Sequence, residues 1–435
     1  MFKTLVNAFK VKDLRKKILI TLGLLILYRV GCALICPGFD TDAIRSEMSS
    51  QTGGTSFFGL MNLLSGDALS NMSILALGVS PYITASIVIQ LLAVAIPSLQ
   101  NLSKQGEDGR RKMNFYTRIA ALVLALAQAI GIVVSYKHLI STAHVNIPLW
   151  LAATGIVLIL TAGAMFTVWL GEKITQIGIG NGMSLLIFVG ILSSAGTGIA
   201  AAFKEVGRDL NNLWTVIIYV AALVLVFGFI VFMDCSERRV NVKYAKQIKG
   251  RKMYGGQDTF IPIRLNASGV MPIIFASSLL TLPQLIMSIF WPNSKAFYWY
   301  QNYMGTNSWV YIVLLALLIF AFAFFYAQIT FDTEDISRRL QQQGGFIPGI
   351  RPGKTTAEYL KRISTRITLF SAVFLAIIAL IPSLAFKAIP DNSTFASLLN
   401  AFSTTGLMIM VSVALEFEKG LSAQMLMRNY KGFLD

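Results

Sequence analysis

Residues 74–96 read ILALGVSPYITASIVIQLLAVAI and carry no charged side chain. Roughly 20 apolar residues cross the hydrocarbon core of a bilayer as a helix, so this run is long enough to span one. Nine further stretches have the same character: Ile18–Cys36, Ile119–Tyr136, Leu149–Leu170, Met183–Phe203, Leu213–Met233, Gly269–Trp291, Trp309–Thr330, Thr368–Phe386 and Phe395–Leu415. The ten together take up roughly 200 residues, nearly half the chain. Composition agrees: of 435 residues 55% are hydrophobic and 13% charged, against about 25% charged in soluble domains. The chain reads as an all-α polytopic membrane protein. Its net charge of +16 is not a nucleic-acid-binding face, because the basic residues fall between the apolar stretches.

Ten spans put both termini on one side and divide the loops into two sets. The set holding the N-terminus, the even-numbered loops and the tail carries 30 of the 37 Lys and Arg residues, and the opposite set carries 6. The positive-inside rule then expects both termini in the cytoplasm. Lys12, Arg15, Lys16 and Lys17 before the first apolar run imitate a signal peptide, but the run is long and lacks a clean small-x-small site, so it reads as uncleaved. Ahead of it Phe2, Leu5, Val6 and Phe9 share one helical face, as in a helix lying on the membrane surface; a basic tail is the plainer alternative. Three cysteines give no disulfide framework, and His138 and His144, in one short loop, make neither a metal site nor a triad.

Two features depart from a plain bundle. Phe57 to Ser70 is apolar but too short to span, and has Gly53, Gly54 and Gly59 near its start and Gly66-Asp67 within it. It fits a half-helix set in a cavity between other helices, since irregular backbone at membrane depth survives only where protein or water satisfies it; an external interfacial helix is the other reading. Ionisable groups are also nearly absent from the spans, where only Arg29 lies inside and Glu172 and Asp234 sit at ends. Ion-coupled carriers keep acidic or histidine relays at that depth, so active small-solute transport loses ground. Thr84, Gln90 and Asn266 are either interhelical glue or path-lining groups.

Gly353-Lys354-Thr355 imitates the end of a P-loop, but Pro348 stands where the first glycine is needed and Pro352 removes an amide. Gly178-Ile179-Gly180-Asn181-Gly182 has Met183 where the dinucleotide fingerprint needs a third glycine. Neither supports nucleotide binding, no cofactor is expected, and energy has to come from a partner. The loop 234–268 carries Arg238, Arg239, Lys243, Lys246, Lys249, Arg251 and Lys252, and has extended runs at Arg239–Tyr244 and Thr259–Leu265. It reads as a projecting basic hairpin or pair of fingers. The loop 331–367 adds Arg338, Arg339, Arg351 and Lys354 with turns at Gly344-Gly345 and Arg351-Pro352-Gly353. Such basicity suits anionic headgroups and also docking to RNA backbone or an acidic protein surface.

Along nearly its whole length the sequence resembles the SecY/Sec61-alpha family of protein-conducting channels. The resemblance is carried by Ser65–Ser70 with Ala76–Ile83, by Gly106–Lys112, by Gly178–Gly182, by Tyr244-Ala245-Lys246 and by Ile350–Gly353. It implies two pseudo-symmetric five-helix halves, 18–203 and 204–415, around a central hourglass pore, with a surface segment 1–17, a plug half-helix within 57–70, large cytoplasmic loops 234–268 and 331–367, and a tail 416–435. Carried over by motif, the plug includes Phe57, Phe58, Leu60, Met61, Leu63, Leu64, Ser65 and Gly66. The pore ring is Ile83, Ile87, Ile187, Ile191, Ile274 and Ile409, and the lateral gate holds Gln90 and Asn266. The tenth span departs from the family pattern at Ser403-Thr404-Thr405-Gly406, next to the Ile409 assignment.

The resemblance further implies a non-enzymatic channel of the bacterial plasma membrane that passes unfolded secretory chains outward and releases apolar segments sideways. Its implied partners are the small subunits SecE and SecG, the SecA motor ATPase, the ribosome with its rRNA backbone, signal peptides and nascent chains, membrane lipids, and associated YidC and SecDF. The basic loops, with Arg251, Lys252 and Arg351 foremost, match the docking surface for motor and ribosome, and Tyr430 matches a position of motor coupling. The loops have the length of the main housekeeping form. A secondary carrier of a small solute is the alternative from another class, with a membrane-embedded enzyme third.

Overall fold

The computed structural model describes residues 9–39, 44, 61–62, 64–103, 105–140, 148–206, 212–244, 247–249, 252–254, 258–266, 268–290, 294–295, 299–300, 303–304, 308–388 and 404–431. The helices in chain order are α1 (Lys12–Ala33), α2 (Ser80–Ala95), α3 (Pro97–Ser103), α4 (Gly106–Ser135), α5 (Leu149–Ile177), α6 (Gly182–Val206), α7 (Asn212–Cys235), α8 (Met271–Phe290), α9 (Trp309–Thr330), α10 (Thr333–Gln342), α11 (Lys354–Ala388) and α12 (Thr404–Lys431). A helix thus overlaps every apolar stretch marked in the sequence. Among the described residues α4, α5, α9 and α11 are long and apolar enough to cross a membrane, and α2, α6, α7 and α8 contain shorter apolar helical stretches. Their outward faces stay apolar, with Trp214, Leu225 and Phe232 of α7 well exposed, as expected of surfaces that face lipid and not water.

Several boundaries differ from the sequence reading, each for a physical reason. The run at 74–96 becomes helical only at Ser80, because Gly78 takes a φ of +53° and Pro81 is suited to a first helical turn. Residues before it pair instead with the chain leaving α1: the Cys36 amide donates to the Met72 carbonyl at 2.8 Å and the Ile74 amide to the Leu34 carbonyl at 2.9 Å. The half-helix expected to reach Ser70 stops early. Met61, Asn62, Leu64 and Ser65 are helical, after which Gly66 (φ +69°) and Asp67 (φ +64°) turn the chain in left-handed conformations that glycine and aspartate tolerate best. Phe57, Phe58, Leu60 and Leu63 lie outside the described residues, as do residues 1–8 of the expected surface segment 1–17, whose residues 12–17 instead form the first turns of α1 because helical bonding begins before the apolar run does. Helices α11 and α12 run past their apolar stretches, from Lys354 and to Lys431, since hydropathy marks only the part suited to lipid and not where helical hydrogen bonding stops.

The extensive pairings run within α1–α6, where α2 packs on α4 and α4 on α5, and within α7–α12, where α9 packs on α11 and on α8. Between these sets α8 meets α2 and α4 on one side, and α6 meets α7 and α12 on the other. A single apolar cluster crosses the junction, drawing Leu64, Ala68, Ile87, Ile187 and Ile191 together with Ile274, Leu375 and Ile409. A second cluster lies within the first set, where Met61, Leu69 and Met72 pack with Ala125, Ile132 and Leu160. The short segment at 61–72 is therefore a wedge between two cores.

The large loops add β structure to the helical bundle. Strand β1 (Glu237–Tyr244) pairs antiparallel with β4 (Asp258–Arg264), and β2 (Gln247–Lys249) pairs with β3 (Lys252–Tyr254). This is the basic hairpin expected from the sequence. Not foreseen is β5 (Gly345–Phe346), contributed by the next loop, which joins the free edge of β1 and gives the order β4-β1-β5. Pro262 is tolerated because β4 is an edge strand. Val240 and Val242 point inward between exposed Arg239, Asn241 and Lys243. They form a small core with Ile263, Leu340, Ile347 and Leu360. Helix α10 is capped by the Asp332 carboxylate, which accepts the Glu334 and Asp335 amides at 3.0 and 3.1 Å.

Leu360 is fully buried beneath this sheet, and truncation at such a site costs about 2–4 kcal/mol. Leu360→Ala is expected to raise amide exchange across 237–264 and 345–347 while leaving α4 and α5 protected, as read by hydrogen–deuterium exchange mass spectrometry. Uniform deprotection of the whole chain instead would show that the loop core is not a separate packing unit.

Candidate functional site: an isoleucine cluster, a docked segment and a polar vestibule

The six isoleucines singled out from the sequence come from four helices. Ile83 and Ile87 lie one turn apart in α2, Ile187 and Ile191 one turn apart in α6, Ile274 is in α8 and Ile409 in α12. Helical spacing of four puts each pair on one face. All six belong to the apolar cluster at the junction of the two helix sets, five of them buried and Ile83 packed at its margin. Such β-branched side chains are stiff and offer water no hydrogen-bonding group, so a ring of them resists wetting.

The wedge at 61–70 packs into the same cluster through Leu64 and Ala68. Its turn is held internally by Asn62, whose amide donates to Asp67 Oδ1 at 3.1 Å while its Oδ1 accepts the Ser70 amide at 2.9 Å. Ser65 is buried, and its hydroxyl returns to the Asn62 carbonyl at 3.1 Å.

Gln90 and Asn266 make no hydrogen bond to each other among the described residues; each anchors a separate polar group. Gln90 Oε1 accepts from the Tyr326 hydroxyl of α9 at 2.7 Å, and its amide donates to Ser86 Oγ at 3.0 Å. The Tyr326 ring also lies edge-on to Phe275 of α8 at 4.7 Å. Asn266 donates to Asp234 Oδ1 at 2.6 Å and accepts from Ser371 Oγ at 3.3 Å, while Asp234 Oδ2 accepts from Ser412 Oγ at 2.6 Å. This group ties together α7, α11, α12 and the stretch entering α8. Thr84, read as glue or path lining, bonds back to the Ser80 carbonyl of its own helix at 3.1 Å.

Beside the isoleucines lies a cavity of about 790 Å³ lined by Tyr82, Met183, Asp234, Arg264, Asn266 and Lys419, among others. Tyr82 adjoins Ile83, and Met183 stands one turn before Ile187. Its wall includes the Arg118–Glu172 ion pair at 2.5 Å, which joins α4 to α5. Charges of both signs surround an open, wettable space that ends at an apolar cluster. Such an arrangement suits passage of a chain with mixed side chains better than selective binding of one solute.

The basic residues are distributed over the loop sheet. Arg238, Arg239 and Lys243 are exposed on β1, with the Arg239 guanidinium 4.7 Å over the Phe260 ring and 2.9 Å from the Glu237 carboxylate. Lys249 and Lys252 are paired in register across β2 and β3, whereas Lys246 and Arg251 lie outside the described residues. Arg351 is exposed on the turn before α11, a turn fixed by Ser337 Oγ donating to the Gly353 carbonyl at 2.7 Å and Thr356 Oγ1 to the Arg351 carbonyl at 2.8 Å. Tyr430 falls in the last turn of α12. Sequence reasoning missed Tyr326, Ser371 and Ser412. Only the ionisable Asp234 at a span end hinted at such a group; a tyrosine in an aromatic run and serines in apolar runs give no signal of their partners.

Comparison with known proteins agrees with this architecture. The chain is 41% identical over 448 residues to the protein translocase subunit SecY of Streptomyces coelicolor, covering 100% of both chains. Among solved structures it superposes on a protein-conducting channel with a TM-score of 0.65 at 18% identity, covering 94% of this chain and 92% of that one. It superposes on Sec61 in the canine ribosome–channel complex from the endoplasmic reticulum with a TM-score of 0.62 at 17% identity, with the same coverage. The sequence model of the SecY family matches residues 73–418, and with the full-length relatives this means that the chain belongs to the SecY family.

Proposed function

We propose that this chain forms the membrane path for unfolded polypeptides: it conducts secretory chains across the bacterial plasma membrane and releases apolar segments sideways into lipid, with no chemistry of its own. The observation that carries the reading is the convergence of isoleucines from α2, α6, α8 and α12 into one cluster that also receives the segment at 61–70. In the closed state the ring excludes water and ions, and the segment, acting as a plug, fills it from one side. A chain entering from the charged cavity displaces the plug and widens the ring, whose apolar side chains fit any sequence without binding it.

Sideways release fits the contact of α8 with α2 and α4, beside which the Gln90–Tyr326 hydrogen bond, of modest strength, joins α2 to α9. An apolar signal helix that buries more surface than the gate competes with it. The distribution of Lys and Arg supports a cytoplasmic side for both termini and the loop sheet, where a motor ATPase of the SecA type or the ribosome docks on the basic hairpin and Arg351 and supplies the push; small subunits of the SecE and SecG type complete the membrane complex. The Sec61 relative in a ribosome complex supports this kind of partner. The small-solute carrier draws no support from the relatives, which are translocase subunits.

The decisive assay is protease protection of a radiolabelled precursor in vesicles holding this chain with its small subunits. Protection is expected only with motor and ATP together; its absence with active, bound partners would return the chain to solute-uptake assays. Replacing Ile83, Ile187 and Ile409 by Asn is expected to admit precursors with defective signals at least severalfold better, and unchanged stringency would remove these residues from the ring. Arg351→Glu is expected to depress motor-driven translocation much more than assembly of the membrane complex. Equal loss of both would assign Arg351 to folding. Tyr326→Phe, which removes a single hydrogen bond of about 0.6 kcal/mol, is expected to raise lateral crosslinking of weak signal sequences to lipid, and no change would place the gate elsewhere.

A further inference from the structure

The segment at 61–70 is fastened by polar contacts that the proposed function does not use. Arg29 of α1 donates from both terminal guanidinium nitrogens to the Gly66 carbonyl, at 3.4 and 3.3 Å, and also to Ser193 Oγ of α6. One turn further along α6, Thr197 Oγ1 lies 2.8 Å from Asp67 Oδ2 and 2.9 Å from the Ser194 carbonyl, so its single proton is shared between the two acceptors. Between these two points the backbones touch. A Cβ on Gly66 would stand 2.7 Å from the Gly190 carbonyl oxygen, and one on Gly190 would stand 2.5 Å from the Leu64 carbonyl oxygen. Gly190, Ser193 and Thr197 share one face of α6 at spacings of three and four. That face lets the segment approach closely at its first turn and binds it through side chains at the next two.

We propose that Arg29, Ser193, Thr197 and Asp67 form a polar latch that holds the segment on α6 and sets how readily the channel opens. The proposal rests on the reading of this segment as the plug. Apolar contacts of Leu64 and Ala68 weaken gradually as a segment slides, but hydrogen bonds to charged groups fail within a short displacement and leave a guanidinium and a carboxylate that need other partners. Release of the plug is therefore abrupt. Asp67 suits this role twice: aspartate tolerates the left-handed backbone that the turn needs, and its carboxylate accepts from Thr197 and Asn62 together.

The test uses proteoliposomes of the full chain with its small subunits and reads resting ion efflux. Thr197→Val removes the donor at constant shape. Asp67→Gly removes the acceptor while keeping a residue at ease with positive φ. Each is expected to raise efflux about three- to tenfold, Thr197→Ser to stay at the wild-type level, and the double variant to fall well short of the product of the singles, because both remove the same bond. Deleting residues 57–70 checks the plug reading separately. Efflux from the deletion with none from the single variants would overturn the latch alone, and so would single effects that multiply. A tight deletion variant would overturn the plug reading and the latch with it. If Thr197→Val fails to assemble, Thr197→Ala takes its place: raised efflux is expected, and efflux at the wild-type level overturns the proposal.

Discussion

Backbone that leaves the helical ladder inside a membrane has to find its hydrogen-bond partners in the protein itself, and residues 66–79 are built around that requirement. The Asp67 amide reaches the Asn62 carbonyl at 3.0 Å, the Ser73 amide the Ala68 carbonyl at 2.9 Å and the Gly78 amide the Leu75 carbonyl at 2.9 Å, while the Ile74 amide donates to the Leu34 carbonyl and the Met72 carbonyl accepts from the Cys36 amide, both in the chain leaving α1. Each turn is closed locally, so the non-helical stretch can sit between two apolar cores. Its exit at Gly78 fixes where α2 begins, and thereby aims Ile83 and Ile87 at the cluster they share with α6, α8 and α12. The placement of the candidate pore follows from how one irregular segment satisfies its amides.

The two sides of the junction between helix sets are held differently. Where α6 meets α7 and α12 the contact is continuous with the apolar cluster. Where α8 meets α2 and α4 the contact also joins the apolar cluster, and a polar bridge from Gln90 to Tyr326 of α9 stands nearby. The Asp234 group lies wholly on the second set and stiffens it by joining α7, α11 and α12. The α8 side, which the proposed function takes as the exit to lipid, therefore differs from the other in carrying a polar bridge beside its apolar packing.

Much of this was legible in the sequence because lipid imposes a simple rule: long uncharged runs, with basic residues between them, map onto helices and loops. The hairpin was legible for the same kind of reason, since the alternation in Arg239–Tyr244 has period two. Legibility stopped where the determinant was a partner far along the chain. Gly66-Asp67 marks the short segment at 57–70 as unusual, but the end of its helix at Ser65 depends on two consecutive left-handed residues that apolar counting does not register. Gln90 and Asn266 drew notice as polar groups at membrane depth, yet their partners Tyr326, Asp234 and Ser371 are spread over three other helices, and no spacing rule connects them. Helix ends at Lys354 and Lys431 were missed because helical bonding continues after apolarity ends.

Strand β5 bears on mechanics as well as topology. By joining β1 it fastens the loop between α7 and α8 to the loop between α9 and α11, and the shared core through Leu340 and Leu360 makes that join rigid. Helices α7, α8, α9 and α11 are thereby joined at the end that carries the sheet. The little sheet acts as a rivet among ribs, and a load applied to it reaches all four helices at once.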